Sequence, residues 1–243
     1  MTISSEDTGD IFPDSRWTLV HRAQKGDEEA AHAALNELCK IYWYPIYAYI
    51  RRSGKQPEEA EDLTQGYFAS LLDRDYLAKA TPERGKLRAF LLTDLKFYLS
   101  NHWRHGQAVR RGSGITFVPI DTEWAEDHYT HEPANLETPA ELFDRKWAVA
   151  VLGNVLEQVR EKYVAKDREL LFTELKPFLS WNAGEESYAE VGARLGRDVN
   201  YVKVNVQRLR KLYRETLEFV VSQTVTCPAE VREEIRYLAS AVC

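Results

Sequence analysis

Along most of the chain, apolar residues recur with the three-four spacing that puts them on one face of an α-helix. Residues 16–25 fit a short helix capped by Asp14 or Ser15. Asp27 then caps a long helical stretch through Arg52, with Ala31, Ala34, Leu35, Leu38, Ile41 and Tyr42 on one face. Pro45 is expected to kink that helix or end it locally, and Ser53-Gly54 to stop it. A second helix opens at Pro57, carries Glu58, Glu59, Glu61 and Asp62 at its positive end, and buries Leu63, Tyr67, Phe68, Leu71 and Leu72. After a loop from Asp73 to Gly85, a third helix covers residues 86–105, with Leu87, Phe90, Leu91, Leu95, Tyr98 and Leu99 inward. Residues 106–140 break the pattern, first with the flexible run Arg110-Arg111-Gly112-Ser113-Gly114. Residues 121–141 then contain acids but no Lys or Arg. Helical periodicity returns over 139–163, 167–180, 187–195, 198–221 and 228–241, and no internal repeat is visible.

These segments predict an all-α protein of two small helical domains, residues 16–105 and 141–221, joined by an acidic linker over 106–140. Residues 1–15 are expected to be a flexible N-terminus. Residues 222–243 form a helical extension that either completes the core or packs on the second domain and regulates it; the core role is the expectation here.

Composition agrees with a globular helical chain: 243 residues, 44% of them hydrophobic, with only 12 Gly and 9 Pro. The longest near-apolar run, Ile41–Ile50, is far short of the about 20 residues a membrane span needs. Glu6, Asp7 and Asp10 replace the basic, apolar start of a secretion leader. Cys39, Cys227 and Cys243 are odd in number and far apart, with no zinc-type spacing. The expectation is a cytoplasmic, reduced protein without metal or cofactor. No phosphate loop, nucleophile elbow or ligand cluster suggests an enzyme acting on a small-molecule substrate, and the pairs His102/His105 and His128/His131 are loose.

The net charge of -6 argues against a nucleic-acid partner until its distribution is read. Residues 84–111 and 194–214 are basic islands in an acidic background. Clustered Lys and Arg attract phosphate backbones. Two solvated helix faces are the plainer alternative.

The second island lies in SYAEVGARLGRDVNYVKVNVQRLRKLYR. A helix-turn-helix needs a small residue where its helices cross, a Gly at the turn and a β-branched residue filling the joint core. Gly192, Gly196 and Val202 supply these, and Val191, Leu195, Val206 and Leu209 complete an apolar seam. Asp198 caps the second helix, which projects Asn200, Tyr201, Lys203, Asn205, Gln207, Arg208 and Lys211. Asn, Gln and Arg make two-pronged bonds to base edges, and Lys and Arg hold phosphates. An ordinary helical hairpin with a basic face is the alternative. Arg197 departs from the motif, which usually has an apolar residue after the turn Gly.

The end of the third helix sets Phe97, Tyr98 and Trp103 beside Lys96, Arg104, Arg110 and Arg111, with Asn101 and His102 between them. Rings interleaved with cations suit unpaired bases, although aromatics at helical spacing are more commonly core.

Taken together, AEDLTQGYFASLL at 60–72, LRAFLLTDLKFYLSNHWR at 87–104 and SYAEVGARLGRDVNYVKVNVQRLRKLYRETL at 187–217 resemble bacterial sigma-70-family factors of the extracytoplasmic-function (ECF) type. The resemblance implies promoter DNA and core RNA polymerase as partners and admits an anti-sigma factor. It assigns Glu61, Asp62, Leu63 and Gln65 to the polymerase clamp. The loop 73–85 with Arg88, Lys96, Phe97, Asn101, Trp103 and Arg104 is assigned to the -10 element. Asn200, Tyr201, Lys203, Asn205, Gln207 and Arg208, with Lys211 on the same helix, are assigned to the -35 element. On charge alone, the acidic linker with Asp121, Glu123, Glu126 and Asp127 is expected to follow basic channels of such a polymerase. Gly66 and Tyr67 depart from the commoner clamp-helix residues. Two other readings remain: a sigma-like interaction module that does not initiate, and a helix-turn-helix repressor that reads a palindrome as a dimer.

Overall fold

The computed structural model describes residues 28–71, 86–104, 121–132, 137–179, 187–225 and 227–242. Among them are nine α-helices and no strand, so the fold is all-α. The helices are α1 (Glu28–Arg52), α2 (Pro57–Leu71), α3 (Leu87–Arg104), α4 (Thr122–Thr130), α5 (Pro139–Val164), α6 (Glu169–Leu175), α7 (Tyr188–Leu195), α8 (Val199–Ser222) and α9 (Val231–Val242). Short 3-10 turns follow α6 and precede α9. The expected helix at 16–25, its cap, the loop 73–85 and the run Arg110–Gly114 lie outside the described residues.

Local chemistry sets most boundaries. α1 runs through Pro45 without ending there and stops at Ser53-Gly54, where Gly54 takes a φ of 92°. Thr138 and Glu141 form a reciprocal capping box at the start of α5, with Pro139 in its first turn. Ser187 and Glu190 form another at the start of α7.

The core has two parts. In the first, Tyr42, Ile46 and Ile50 of α1 pack with Leu63, Tyr67 and Leu71 of α2 and Leu87, Leu91 and Leu95 of α3. Phe143, Trp147 and Val151 of α5, Val220 and Val221 at the end of α8, and Leu238 of α9 join the same cluster. Trp147 is fully buried and its indole N–H donates to Tyr42 Oη at 3.2 Å. The second part unites Val159 and Tyr163 of α5 with Leu171, Phe172 and Leu175 of α6, Val191 of α7, and Val202, Val206 and Leu209 of α8.

Two expectations need correction. The two cores are not separated by a linker at 106–140, because α5 begins in one and ends in the other, so their boundary falls inside a helix. Part of the expected linker is itself helical: Asp121 caps α4 by accepting from the Trp124 N–H, and Ala125 is fully buried. Glu126 pairs with Arg51 at 2.6 Å and accepts from Tyr47 at 2.8 Å, so it is not an outward linker acid. The C-terminal extension does complete the first core, through Leu238, Val231 and Ile235.

Candidate nucleic-acid interface

Gly192 and Gly196 fix the junction of α7 and α8. A Cβ on Gly192 would lie 2.7 Å from the Arg197 carbonyl oxygen, closer than real Cβ atoms come to backbone. Only glycine lets the turn fold back so tightly, and the Arg197 N–H donates to the Gly192 carbonyl at 2.8 Å. Gly196 ends α7 in the left-handed region at φ 62°. Asp198 then caps α8 by accepting from the Tyr201 N–H at 2.6 Å. Val191, Val202, Val206 and Leu209 close the joint beneath.

At about 100° per residue, Asn200, Lys203, Gln207 and Lys211 fall within one outward arc of α8, with Arg208 at its edge. All five are exposed, and Tyr201 is half-buried. Arg214 extends the row by one turn and belongs with it, beyond the residues that the motif marks. The Arg197 guanidinium lies 5.2 Å from the centre of the Tyr201 ring, which accounts for a cation at that turn position. Asn205 is a correction: it is 4% exposed and donates from Nδ2 to the Tyr201 carbonyl at 2.8 Å. Its helical phase matches Val202 and Leu209, so it faces the joint core and not an outside partner.

The cations around α8 divide into anchored and unpaired groups. Arg194 pairs with Glu174 at 2.7 Å, and Arg210 donates twice to the Phe178 carbonyl, holding the 3-10 turn against α8. Among the described residues, no carboxylate pairs with Lys203, Arg208 or Arg214, whereas Lys211 has Glu215 at 3.7 Å. Burial pushes the Tyr163 phenol above its ordinary pKa, and the nearby charges of Arg168 and Arg208 oppose that rise. Arg168, at the start of α6, thus adds a cation that the motif did not mark.

α3 is more divided. Lys96 is exposed, Phe97 is 59% exposed, and Asn101 is half-buried. The side chains of Trp103 and Arg104 lie outside the described residues. Arg88 is a correction. Its guanidinium donates to Glu234 and to Asp144, both at 2.9 Å, and stacks 3.8 Å from the centre of the Tyr237 ring. With its side chain 11% exposed it is closed to an outside partner. Burial by itself lowers the Arg88 pKa; the hydrogen bond and charge of Glu234, with the charge of Asp144, outweigh it and the value rises.

On α2, Asp62 and Gln65 are exposed and Glu61 is half-buried, with Gln65 donating to Glu61 at 3.0 Å. Leu63 is a further correction: it is 4% exposed and packed in the first core. The Trp124 ring lies tilted 3.9 Å from His128 and meets Tyr44 edge-on at 5.1 Å, an aromatic patch that sequence spacing does not reveal. No group of three or more metal-ligating side chains occurs among the described residues, and none of their helices is long and apolar enough to cross a membrane. No protein-family model, curated protein or solved structure matches the chain.

Proposed function

We infer that this chain is a promoter-specificity subunit of bacterial RNA polymerase, similar to sigma factors of the ECF type. In this reading α8 enters the major groove at a -35 element, and Asn200, Gln207 and Arg208 contact base edges while Lys203, Lys211 and Arg214 hold phosphates. Lys96 and Phe97 on α3 serve strand capture at a -10 element, the ring stacking on an unpaired base. Glu61, Asp62 and Gln65 on α2 face the polymerase clamp.

The observation that carries the reading is the outward row on α8. It combines base-reading and phosphate-holding side chains, leaves Lys203 and Arg208 without carboxylate partners among the described residues, and stands on a helix crossing that requires glycine. The chain's acidity away from its basic islands suits a subunit that binds DNA weakly until a polymerase presents it.

The test is reconstituted transcription, with core polymerase, the full chain and a genomic DNA library, and start sites mapped. Defined start sites are expected with the wild type. The Lys203→Ala, Arg208→Ala double variant should lose them by about tenfold or more while still co-eluting with polymerase. Co-elution without defined starts in the wild type would favour a non-initiating interaction module. Tight binding to a palindrome by the free dimer would favour a repressor.

A further inference from the structure

The most unusual polar feature lies away from the α8 row, where α3 meets α5 and α9. Glu234 is 1% exposed and sits within the apolar stripe of α9, beside Val231, Ile235 and Leu238. Its Oε1 accepts from Arg88 Nε at 2.9 Å and its Oε2 forms an ion pair with Lys86 Nζ at 2.8 Å. Glu233 meets the same lysine at 3.0 Å. Asp144 of α5 accepts from Arg88 at 2.9 Å and from the Tyr237 hydroxyl at 2.6 Å. Every cation in this cluster comes from the chain before α4, and every carboxylate from the chain after it.

An apolar residue at position 234 would fill the stripe without desolvating a charge, so buried pairing contributes little to net stability. Losing one partner, by contrast, strands the others unpaired. Such a contact holds one arrangement specifically and gives way when its cations gain another anion. Three carboxylates here occupy the place that the oxygens of a phosphate backbone would take against Lys86 and Arg88. We propose that α9 is an autoinhibitory clasp, whose carboxylates stand in for nucleic-acid phosphates and withhold Lys86 and Arg88 from single-stranded DNA until α9 is released. The proposal rests on the nucleic-acid reading given above. At 12 residues, α9 is too short to remain helical by itself in water, so release melts it and opens Arg232 and Arg236 to protease.

The experiment uses the full chain, a fluorescent mixed-sequence single-stranded 20-mer at low salt, and trypsin. The variants are Glu234→Gln, Tyr237→Phe, Glu233→Gln and the Glu234→Gln, Arg88→Ala pair. Glu234→Gln should bind the oligonucleotide about tenfold tighter than the wild type and be cut at Arg232 or Arg236 about tenfold faster. Tyr237→Phe keeps every charge and the ring but loses the bond to Asp144; it should shift both readouts in the same direction, less far. Glu233→Gln removes the same charge at an exposed site and should leave the cleavage rate within about twofold of the wild type. The Arg88→Ala pair should be cut as fast as Glu234→Gln but lose its added affinity. Equal affinity of the wild type and Glu234→Gln would overturn the proposal, as would tighter binding without faster cleavage. Should Glu234→Gln fail to fold, Tyr237→Phe decides by the same two readouts. A wild type that gives no defined transcription starts would undo the promoter reading, whereas the oligonucleotide and cleavage results judge the clasp separately.

Discussion

Gly66 stands in the middle of α2, where glycine disfavours a helix by about 1 kcal/mol relative to Ala. A Cβ there would come within 2.5 Å of the Tyr98 hydroxyl oxygen, while the ring carbon behind it is 3.7 Å away. The residue that looked like a weakness of the helix is thus the socket for a ring from α3. Gly66→Ala is expected to lower stability in the wild type and to raise it by about 0.5–1 kcal/mol in a Tyr98→Phe background, where the obstructing oxygen is gone. A urea double-mutant cycle checks the change of sign. Other residues show what a sequence hides at this scale. The chemistry of Asn205 fits a base reader, although its phase with Val202 and Leu209 points inward. The resemblance alone gives Arg88 and Leu63 outward roles; the carboxylates that hold Arg88 are far from it in sequence, whereas the apolar stripe of α2 already places Leu63 inward. Glu234 could have been found, because a carboxylate in the apolar stripe of α9 calls for a buried cation.

Helix termini were the most legible elements, because their signals are local. Ser187 with Glu190, Gly196 and Asp198 were all readable; α7 begins and ends, and α8 begins, beside them. α4 was not legible, because what holds it lies far away: Arg51 is 75 residues from Glu126. Trp124 and Ala125 face α1, but in sequence they stand among acids that resemble a solvated tether. The α1–α4 contact has a predictable pH response. The hydrogen bond from Arg51, against the opposing effect of burial and with help from Tyr47, holds the Glu126 carboxyl below its ordinary pKa. A depressed carboxyl contributes stability above its unfolded value, near about 4.3, and loses it as pH falls through the lower folded value. The wild type should therefore lose up to about 1 kcal/mol more than Glu126→Gln between about pH 6 and about pH 3. Urea midpoints collected across that range would show the two proteins converging in acid; parallel curves would mean that the contact holds no charge-dependent stability.

For the molecule as a whole, the decisive element is α5, 26 residues or about 39 Å of helix running from one core into the other. Its place could not be read from the chain, because the contact that anchors it, Trp147 on Tyr42, joins residues 105 apart. The helices were legible; that α5 and α8 each reach from one core into the other was not. Gly153 lies on α5 between Val151 and Val155 of the first core, ahead of Val159 of the second, and is exposed. A Cβ at that position would meet nothing within 4 Å, so no packing requires the glycine. Gly153→Ala should therefore raise helix stability by about 1 kcal/mol and the unfolding temperature by about 2–4 °C. In the proposed function, the α3 and α8 surfaces would reach two promoter elements together only if the helices that join the two cores let them adjust. Stiffening α5 is expected to reduce polymerase-dependent initiation severalfold while leaving binding of duplex DNA by the α8 face unchanged. If the variant unfolds at the higher temperature and initiates as well as the wild type, initiation needs no give in α5 at Gly153.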